Sequence, residues 1–182
     1  MKKLCLYLIL LPCLLLSACG TKAEEKLFHE FSYSLAERQD LSFIGNLRAE
    51  YPDRTVEFQL RFEDEDGHSV VTVLAPELIS ELSVEIHEGA SILEYNSLVI
   101  DTGALDDSGL TPLTALPEIV SALRTGYLDA VREEGGELVF TLIPDDGLKV
   151  DVWFEPLSMN PVHAELISDG KVTVYCDIES WR

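Results

Sequence analysis

Residues 138–155 read Leu-Val-Phe-Thr-Leu-Ile-Pro-Asp-Asp-Gly-Leu-Lys-Val-Asp-Val-Trp-Phe-Glu. Large apolar residues occupy every second position from Leu138 to Leu142 and again from Leu148 to Phe154. A period of two is the pattern of a strand with one apolar face. The Pro-Asp-Asp-Gly segment between the two runs is typical of a tight turn, so these residues predict a β-hairpin.

The same alternation continues on both sides of this hairpin. It predicts strands at 41–50, 56–63, 69–74, 82–87, 92–100 (as one or two strands), 162–167 and 171–178. Short turns join the last four predicted strands, so we expect those strands to be antiparallel neighbours.

Two segments have helical spacing instead. Their apolar residues are Leu27, Phe28, Phe31 and Leu35 in the first, and Leu113, Leu116, Val120, Leu123 and Tyr127 in the second. The first predicts a helix from about Glu24 to Arg38. In the second, Thr111 and Pro112 resemble an N-cap and first helical residue, and Gly126 a residue just past the end. Pro117 predicts a restart, and therefore a broken helix over 112–125.

These elements predict an α+β fold that is mostly β. We expect a single curved antiparallel sheet of about ten strands, forming an unclosed half-barrel, with the N-terminal helix and the broken mid-chain helix covering its apolar face. The chain has 182 residues, of which 47% are hydrophobic, so one globular domain accommodates these elements.

The charge excludes one large class of partners. Thirteen basic residues against 33 acidic residues give a net charge of −20. A compact body with this charge is repelled by phosphate, so we set nucleic acid aside. Spontaneous adsorption to anionic lipid is disfavoured for the same reason.

The first 19 residues indicate a destination. Lys2 and Lys3 precede an apolar run, residues 4–16, that is too short to span a bilayer and suits a signal peptide. The following Leu-Ser-Ala-Cys-Gly, ending at Gly20, resembles a bacterial lipobox. The resemblance implies cleavage after residue 18 and lipid attachment to Cys19, which would hold the protein on the extracytoplasmic face of the cell membrane. An ordinary cleavage site with a chance cysteine is the alternative.

These boundaries divide the chain into a signal peptide at 1–18, a polar lipidated tether at 19–26 and a domain at 27–182. Cys5 and Cys13 leave with the signal peptide, and Cys19 carries the lipid, so Cys176 has no partner for an intramolecular disulfide. Cys176 alternates with apolar residues and is interpreted as a buried core residue. A reactive or dimer-linking thiol is the alternative.

Two stretches of the domain resemble a known family. The first comprises Val73–Glu77, Leu82–Ile86 and Ile92–Asn96, and the second comprises Val152–Pro156, Pro161–Leu166 and the Asp169-Gly170 turn before the last strand. With the order of elements, they resemble the lipoprotein-carrier superfamily over about residues 27–181. This superfamily includes the LolA and LolB carriers and LolA-like lipoproteins of Gram-positive cells, germination lipoproteins among them.

The resemblance implies an apolar cavity beneath a helical lid. Members bind lipid or acylated chains there, or act as interaction modules. The candidate cavity residues are Phe43, Leu47, Phe58, Leu60 and Phe62 on the strands, and Ile119, Val120, Leu123 and Tyr127 on the lid. The soluble carrier has no lipobox, so Cys19 favours handling of lipid close to the membrane over shuttling. The same residues also suit a filled core, which predicts a non-enzymatic envelope protein that binds a protein partner, as a monomer or a homodimer.

Motifs that carry catalysis or bind a cofactor are not recognisable in the sequence. It contains no nucleophile elbow, His-Glu-x-x-His, P-loop or Cys-x-x-Cys. His29, His68, His87 and His163 belong to different predicted elements. The acidic turns at 63–66, 106–107 and 145–146 do not have the ligand spacing of a calcium-binding loop. We therefore expect neither an enzyme nor a metal or cofactor site.

Overall fold

The computed structural model describes residues 20–80, 82–87, 90–94, 110–144 and 147–182. The helices are α1 (Gly20–Ala36) and α2 (Pro112–Thr125), and a 3-10 turn occupies Glu77–Ile79. The strands are β1 (Asp40–Glu50), β2 (Thr55–Glu65), β3 (His68–Ala75), β4 (Ser83–His87), β5 (Ala90–Glu94), β6 (Tyr127–Glu134), β7 (Glu137–Ile143), β8 (Leu148–Phe154), β9 (Pro161–Ser168) and β10 (Lys171–Glu179).

The described strands form one antiparallel sheet in the order β5-β4-β3-β2-β1-β10-β9-β8-β7-β6. The first and last strands of the chain, β1 and β10, pair at its centre, which joins the two halves of the meander. β5 and β6 lie at opposite edges, and no pairing between them is found among the described residues. The predicted fold class, an unclosed antiparallel sheet with two helices, is confirmed.

Alternation along the strands separates the sheet into an inner and an outer face. Inner-face residues of neighbouring strands lie opposite one another, as Phe43 does with Phe62 and Leu47 with Cys176. Helix α2 contacts β1, β2, β3, β7 and β9 on this inner face, and α1 contacts α2 and β6. The apolar core therefore lies between the sheet and the helices, as the alternation predicts.

One described strand was not predicted. β6 follows α2 after a single residue. Its first residue, Tyr127, was grouped with the lid residues because it continues the helical spacing of Leu123. The register of β6 against β7 shifts between Leu128 and Ala130, which is a β-bulge or irregularity. Such a shift changes which face successive residues occupy, so the strand has no regular period of two. Residues 95–100 of the segment predicted as one or two strands lie outside the described residues.

Helix α1 begins earlier in the chain than predicted. The helix begins at Gly20, four residues before the predicted start at Glu24, so residues 20–26 are helical. Phe28 and Leu35 are buried on its inner side, and the Phe28 ring lies 5.0 Å from that of Phe140 on β7. These contacts hold α1 against the body of the domain.

Helix α2 corrects the predicted break. Thr111 caps it as expected, accepting a hydrogen bond from the backbone N–H of Thr114, and the helix runs unbroken through Pro117 to Thr125. Proline in a helix removes one hydrogen bond and costs about 3 kcal/mol. Burial of Leu116 and Ile119 on either side of it offsets that cost. Gly126 ends the helix with extended backbone, and a Cβ there would lie 2.5 Å from the Ala122 carbonyl oxygen.

Candidate functional site

The space between α2 and the inner face of the sheet contains most of the predicted cavity residues. Seven of the nine are buried and belong to one continuous core: Phe43, Leu47, Leu60, Phe62, Ile119, Val120 and Leu123. Phe58 is partly buried at the margin of that core. Tyr127 does not join them, because it begins β6 and is 70% exposed.

The buried residues pack against one another closely. The Phe43 and Phe62 rings lie 5.2 Å apart, and Trp181 lies 5.0 Å from the other side of Phe43. Gly45 provides the room for α2, since a Cβ at this position would lie 2.7 Å from Leu116 Cδ2. The arrangement is a packed helix–sheet interface within one core cluster.

An ion pair ties the C-terminal end of α2 to the sheet. Arg124 Nη1 lies 2.6 Å from Asp64 Oδ2, and the Asp64 side chain is only 3% exposed. Asp64 Oδ1 and Arg124 Nε are buried without a hydrogen-bond partner. Each such group costs about 1–3 kcal/mol, so the pair holds α2 in place with part of its hydrogen-bonding capacity unused.

Sequence reasoning missed this pair. Asp64 was interpreted as part of an acidic turn, although it continues the inner-face alternation of Leu60 and Phe62. An acidic residue at an apolar position of a strand is a signal that a buried partner exists. Ser32 of α1 adds a second tie, donating a hydrogen bond of 3.1 Å to the Arg124 carbonyl oxygen.

The outer face carries a groove of about 600 Å³ across β1, β2, β9 and β10. Its polar side chains are held by their neighbours: Asn46 accepts from Gln59 at 2.9 Å and donates to Glu179 at 3.0 Å. The Arg48 guanidinium stacks 4.0 Å from the centre of the Tyr175 ring. Leu47 and Phe58 are the two predicted cavity residues that also line this groove.

A polar network also covers β6, β7 and β8 on the outer face. Asp151 accepts hydrogen bonds from Thr141 at 2.6 Å and from Arg132 at 2.8 Å. Burial alone would lower the pKa of Arg132, but its hydrogen bonds to Asp151 and Glu134 raise it above the usual value. These groups neutralise each other, and the network is best explained as support for the sheet.

The candidate nucleophiles and metal ligands are dispersed. His29 and His68 are exposed, whereas His163 Nδ1 lies 2.7 Å from Asp177 Oδ1; the side chain of His87 lies outside the description. Cys176 is buried, as predicted. Burial and, to a smaller extent, the charge of Asp177 raise the pKa of its thiol. Among the described residues, no three acidic, histidine or cysteine side chains are placed to hold a metal ion.

Neither α1 nor α2 is long and apolar enough to cross a bilayer, and these are the helices of the described residues. Cys19 and the apolar run before it lie outside the described residues.

Comparison by sequence finds no matching family model and no matching curated protein. Comparison by structure finds an uncharacterized conserved protein from Thermus thermophilus, with a TM-score of 0.50, 10% identity and coverage of 87% of this chain and 86% of that one. A putative outer membrane lipoprotein-sorting protein domain from Vibrio parahaemolyticus has a TM-score of 0.47, 12% identity and coverage of 85% and 90%.

A LolA superfamily protein from Nitrosomonas europaea has a TM-score of 0.39, 11% identity and coverage of 86% and 92%. The likeness to the Thermus protein shows a shared fold. The two likenesses with lower scores carry no argument about this chain.

Proposed function

We propose that this protein is a bacterial lipoprotein, anchored through Cys19, that binds the acyl chain of a lipid or lipidated molecule between α2 and the inner face of the sheet. The observation that supports the proposal is that one amphipathic helix, α2, covers much of the apolar face of an unclosed sheet. The inner side of α2 presents Leu113, Leu116, Ile119, Val120 and Leu123, all buried. An acyl chain offers the same kind of surface and is able to replace the helix on the sheet.

Binding would exchange α2 for an acyl chain on the sheet, so the cost of lifting the helix has to be compared with the gain from burying the chain. Each of these five side chains gains roughly 1.5–3 kcal/mol from burial, so lifting α2 away costs roughly 7–15 kcal/mol. That cost is of the order of the whole stability of a domain. An acyl chain with about 15 CH₂ groups returns about 12 kcal/mol when it moves to the site from water, at about 0.8 kcal/mol for each buried group. The closed protein with the chain in water and the open protein with the chain bound are therefore close in free energy. A ligand is then able to select the open state.

The ties at Arg124 oppose opening of the C-terminal end of α2 less than a fully hydrogen-bonded ion pair would. Its Nε and Asp64 Oδ1 have no partner in the closed arrangement, and both would gain water when the helix moves away. The loss of the ion pair is then partly offset by hydration of these two atoms. The hydrophobic contacts therefore contribute more than the ion pair to the stability of the closed arrangement.

The anchor is supported by the sequence at residues 1–19, with its short positive segment, apolar run and Leu-Ser-Ala-Cys. Cleavage after residue 18 removes two lysines and no acidic residue, so the net charge of the mature chain changes from −20 to −22. Two or more acyl chains on Cys19 give stable attachment to a membrane. The proposed activity is non-enzymatic.

A titration of residues 20–182 with cis-parinaric acid, a fluorescent fatty acid, tests the proposal. We expect saturable enhancement of its emission, and loss of that enhancement in Leu123→Asp, which places a charge under the helix. Asn46→Ala, which alters the outer-face groove, is the control and retains binding. Circular dichroism verifies that each variant is folded. Binding that is equal in both variants, or absent from the parent chain, contradicts the proposed site.

The packed interior favours a second candidate, an envelope lipoprotein whose filled core is only a scaffold for binding a protein partner. Seven predicted cavity residues already fill their space with one another. Under this alternative the parent chain does not enhance the probe's emission, and its mass is unchanged after exposure to lipid.

A further inference from the structure

The exposed side of α1 carries a stripe of basic and aromatic residues. Lys22, Lys26, His29 and Tyr33 follow one another at intervals of four, three and four, so they lie one above another along the helix. All four are exposed, and Tyr33 is 68% exposed. The opposite side of the helix packs into the core through Phe28 and its neighbours. We call these four residues the α1 stripe.

The position of the stripe is notable for so acidic a protein. After residue 18 the chain contains four lysines, and two of them are Lys22 and Lys26, in the first two turns after Cys19. Glu25 and Glu30 flank the stripe. The Lys26–Glu30 pair, at 3.4 Å, is highly exposed and therefore weak. The face formed by Glu25, Glu30 and the α1 stripe has a formal charge of zero, so an anionic surface repels it less than it repels the rest of the acidic body.

The chemistry of the stripe suits the headgroup layer of a bilayer. Lysines extend their charge towards lipid phosphates, and each contributes about 1 kcal/mol near an anionic surface. A tyrosine ring is amphipathic and is favoured at the boundary between headgroups and acyl chains. Glu25 and Glu30 on the same face offset part of the roughly 2 kcal/mol from two lysines, so this contact requires an anchor nearby.

We propose that α1 lies along the anionic headgroup layer that holds the acyl chains of Cys19, with Lys22, Lys26, His29 and Tyr33 facing the lipid. This inference rests on the lipid anchor of the proposed function. α1 begins at the residue after Cys19, and Phe31 packs 4.9 Å from Phe154, so the anchored helix has little slack between membrane and body. The helical layer then faces the bilayer, α2 lies beside α1, and the outer face of the sheet points away.

This orientation deepens the proposed function. Helix α2 packs against α1, and Ser32 of α1 bonds the Arg124 carbonyl of α2. An acyl chain leaving the bilayer would therefore meet the helical layer before it meets the sheet.

The test couples residues 19–182 through the Cys19 thiol to a maleimide phospholipid in vesicles of phosphatidylcholine and phosphatidylglycerol. Cys176 is buried and does not compete for the reagent. Tyr33→Trp reports contact with lipid, and Tyr127→Trp is the matched control because Tyr127 is 70% exposed but belongs to β6. Emission from Trp153 and Trp181 is subtracted using the coupled parent chain. We expect brominated acyl chains to quench Tyr33→Trp and to leave Tyr127→Trp unchanged.

The electrostatic part is tested by adding Lys22→Gln and Lys26→Gln to Tyr33→Trp. We expect quenching to fall in this variant, and to fall in high salt for the unmodified stripe. Equal quenching of the two tryptophan reporters, no quenching of either, or quenching that survives loss of both lysines overturns the proposal. Because the anchor is attached chemically and no acyl ligand is measured, these results are independent of whether Cys19 is lipidated in cells or α2 opens.

Discussion

Replacement of Gly45 by alanine tests the close approach of α2 to the sheet. The added Cβ would lie 2.7 Å from Leu116 Cδ2, 3.0 Å from Cys176 Sγ and 3.0 Å from Leu47 Cδ1. Each distance is shorter than the roughly 3.5–4.0 Å separation of non-bonded carbon atoms at their energy minimum. Three side chains surround the position, so no single rotamer change relieves the overlap.

The expected cost follows from this geometry. Overpacking of a filled core by one methyl group costs about 1–3 kcal/mol. For a domain of this size, 1 kcal/mol corresponds to a change in Tm of about 2–4 °C, so we expect Gly45→Ala to lower Tm by about 2–12 °C. Differential scanning calorimetry measures the shift. Ser42→Ala, on the same strand but the opposite face, is the control and leaves Tm nearly unchanged.

A double-mutant cycle with Leu116→Ala separates overpacking from other causes. Leu116→Ala alone leaves a cavity and costs about 2–5 kcal/mol. The new methyl group at position 45 would occupy part of that cavity, so the double variant should be more stable than the sum of the two single effects indicates. Additive losses, or a Gly45→Ala variant as stable as the parent, would refute the close packing of α2 on β1.

Three further predictions concern single groups. Asp64→Asn leaves the Arg124 guanidinium without its anion and should lower the free energy of unfolding by about 3 kcal/mol in urea titrations, whereas Glu63→Gln on the outer face should not. Cys19→Ala should abolish incorporation of labelled palmitate and release the protein from the membrane fraction; retention of label would contradict the anchor. Burial raises the pKa of the folded Cys176 thiol. Above pH 9.0, where the unfolded thiol ionises, its contribution to the free energy of unfolding should therefore fall by about 1.4 kcal/mol for each pH unit. The pH dependence of Cys176→Ala should lack this part of the slope.

Strands with one apolar face were predictable from the sequence because alternation records which side of the sheet each residue faces. The hairpin of β7 and β8 follows directly from Leu138 to Phe154. β6 was missed because a register irregularity interrupts its alternation, and because Tyr127 happens to continue the helical spacing of α2.

The candidate site was predictable only in part. The alternation identified the inner-face residues, such as Phe43 and Leu60. It gives no information on how closely the covering helix approaches the sheet, because that distance depends on residues far apart in the sequence. Gly45 illustrates the limit, since its importance depends on the approach of Leu116, more than 70 residues later in the chain. The Asp64–Arg124 pair is likewise formed by residues distant in sequence.

A native mass spectrum of residues 20–182, recorded after purification and again after incubation with membrane lipids, tests acyl-chain binding most directly. We predict a stoichiometric lipid adduct that is lost in Leu123→Asp, and extraction of the adduct would identify the class of ligand. A mass equal to that of the bare chain under both conditions would contradict the account and favour a scaffold that binds a protein partner.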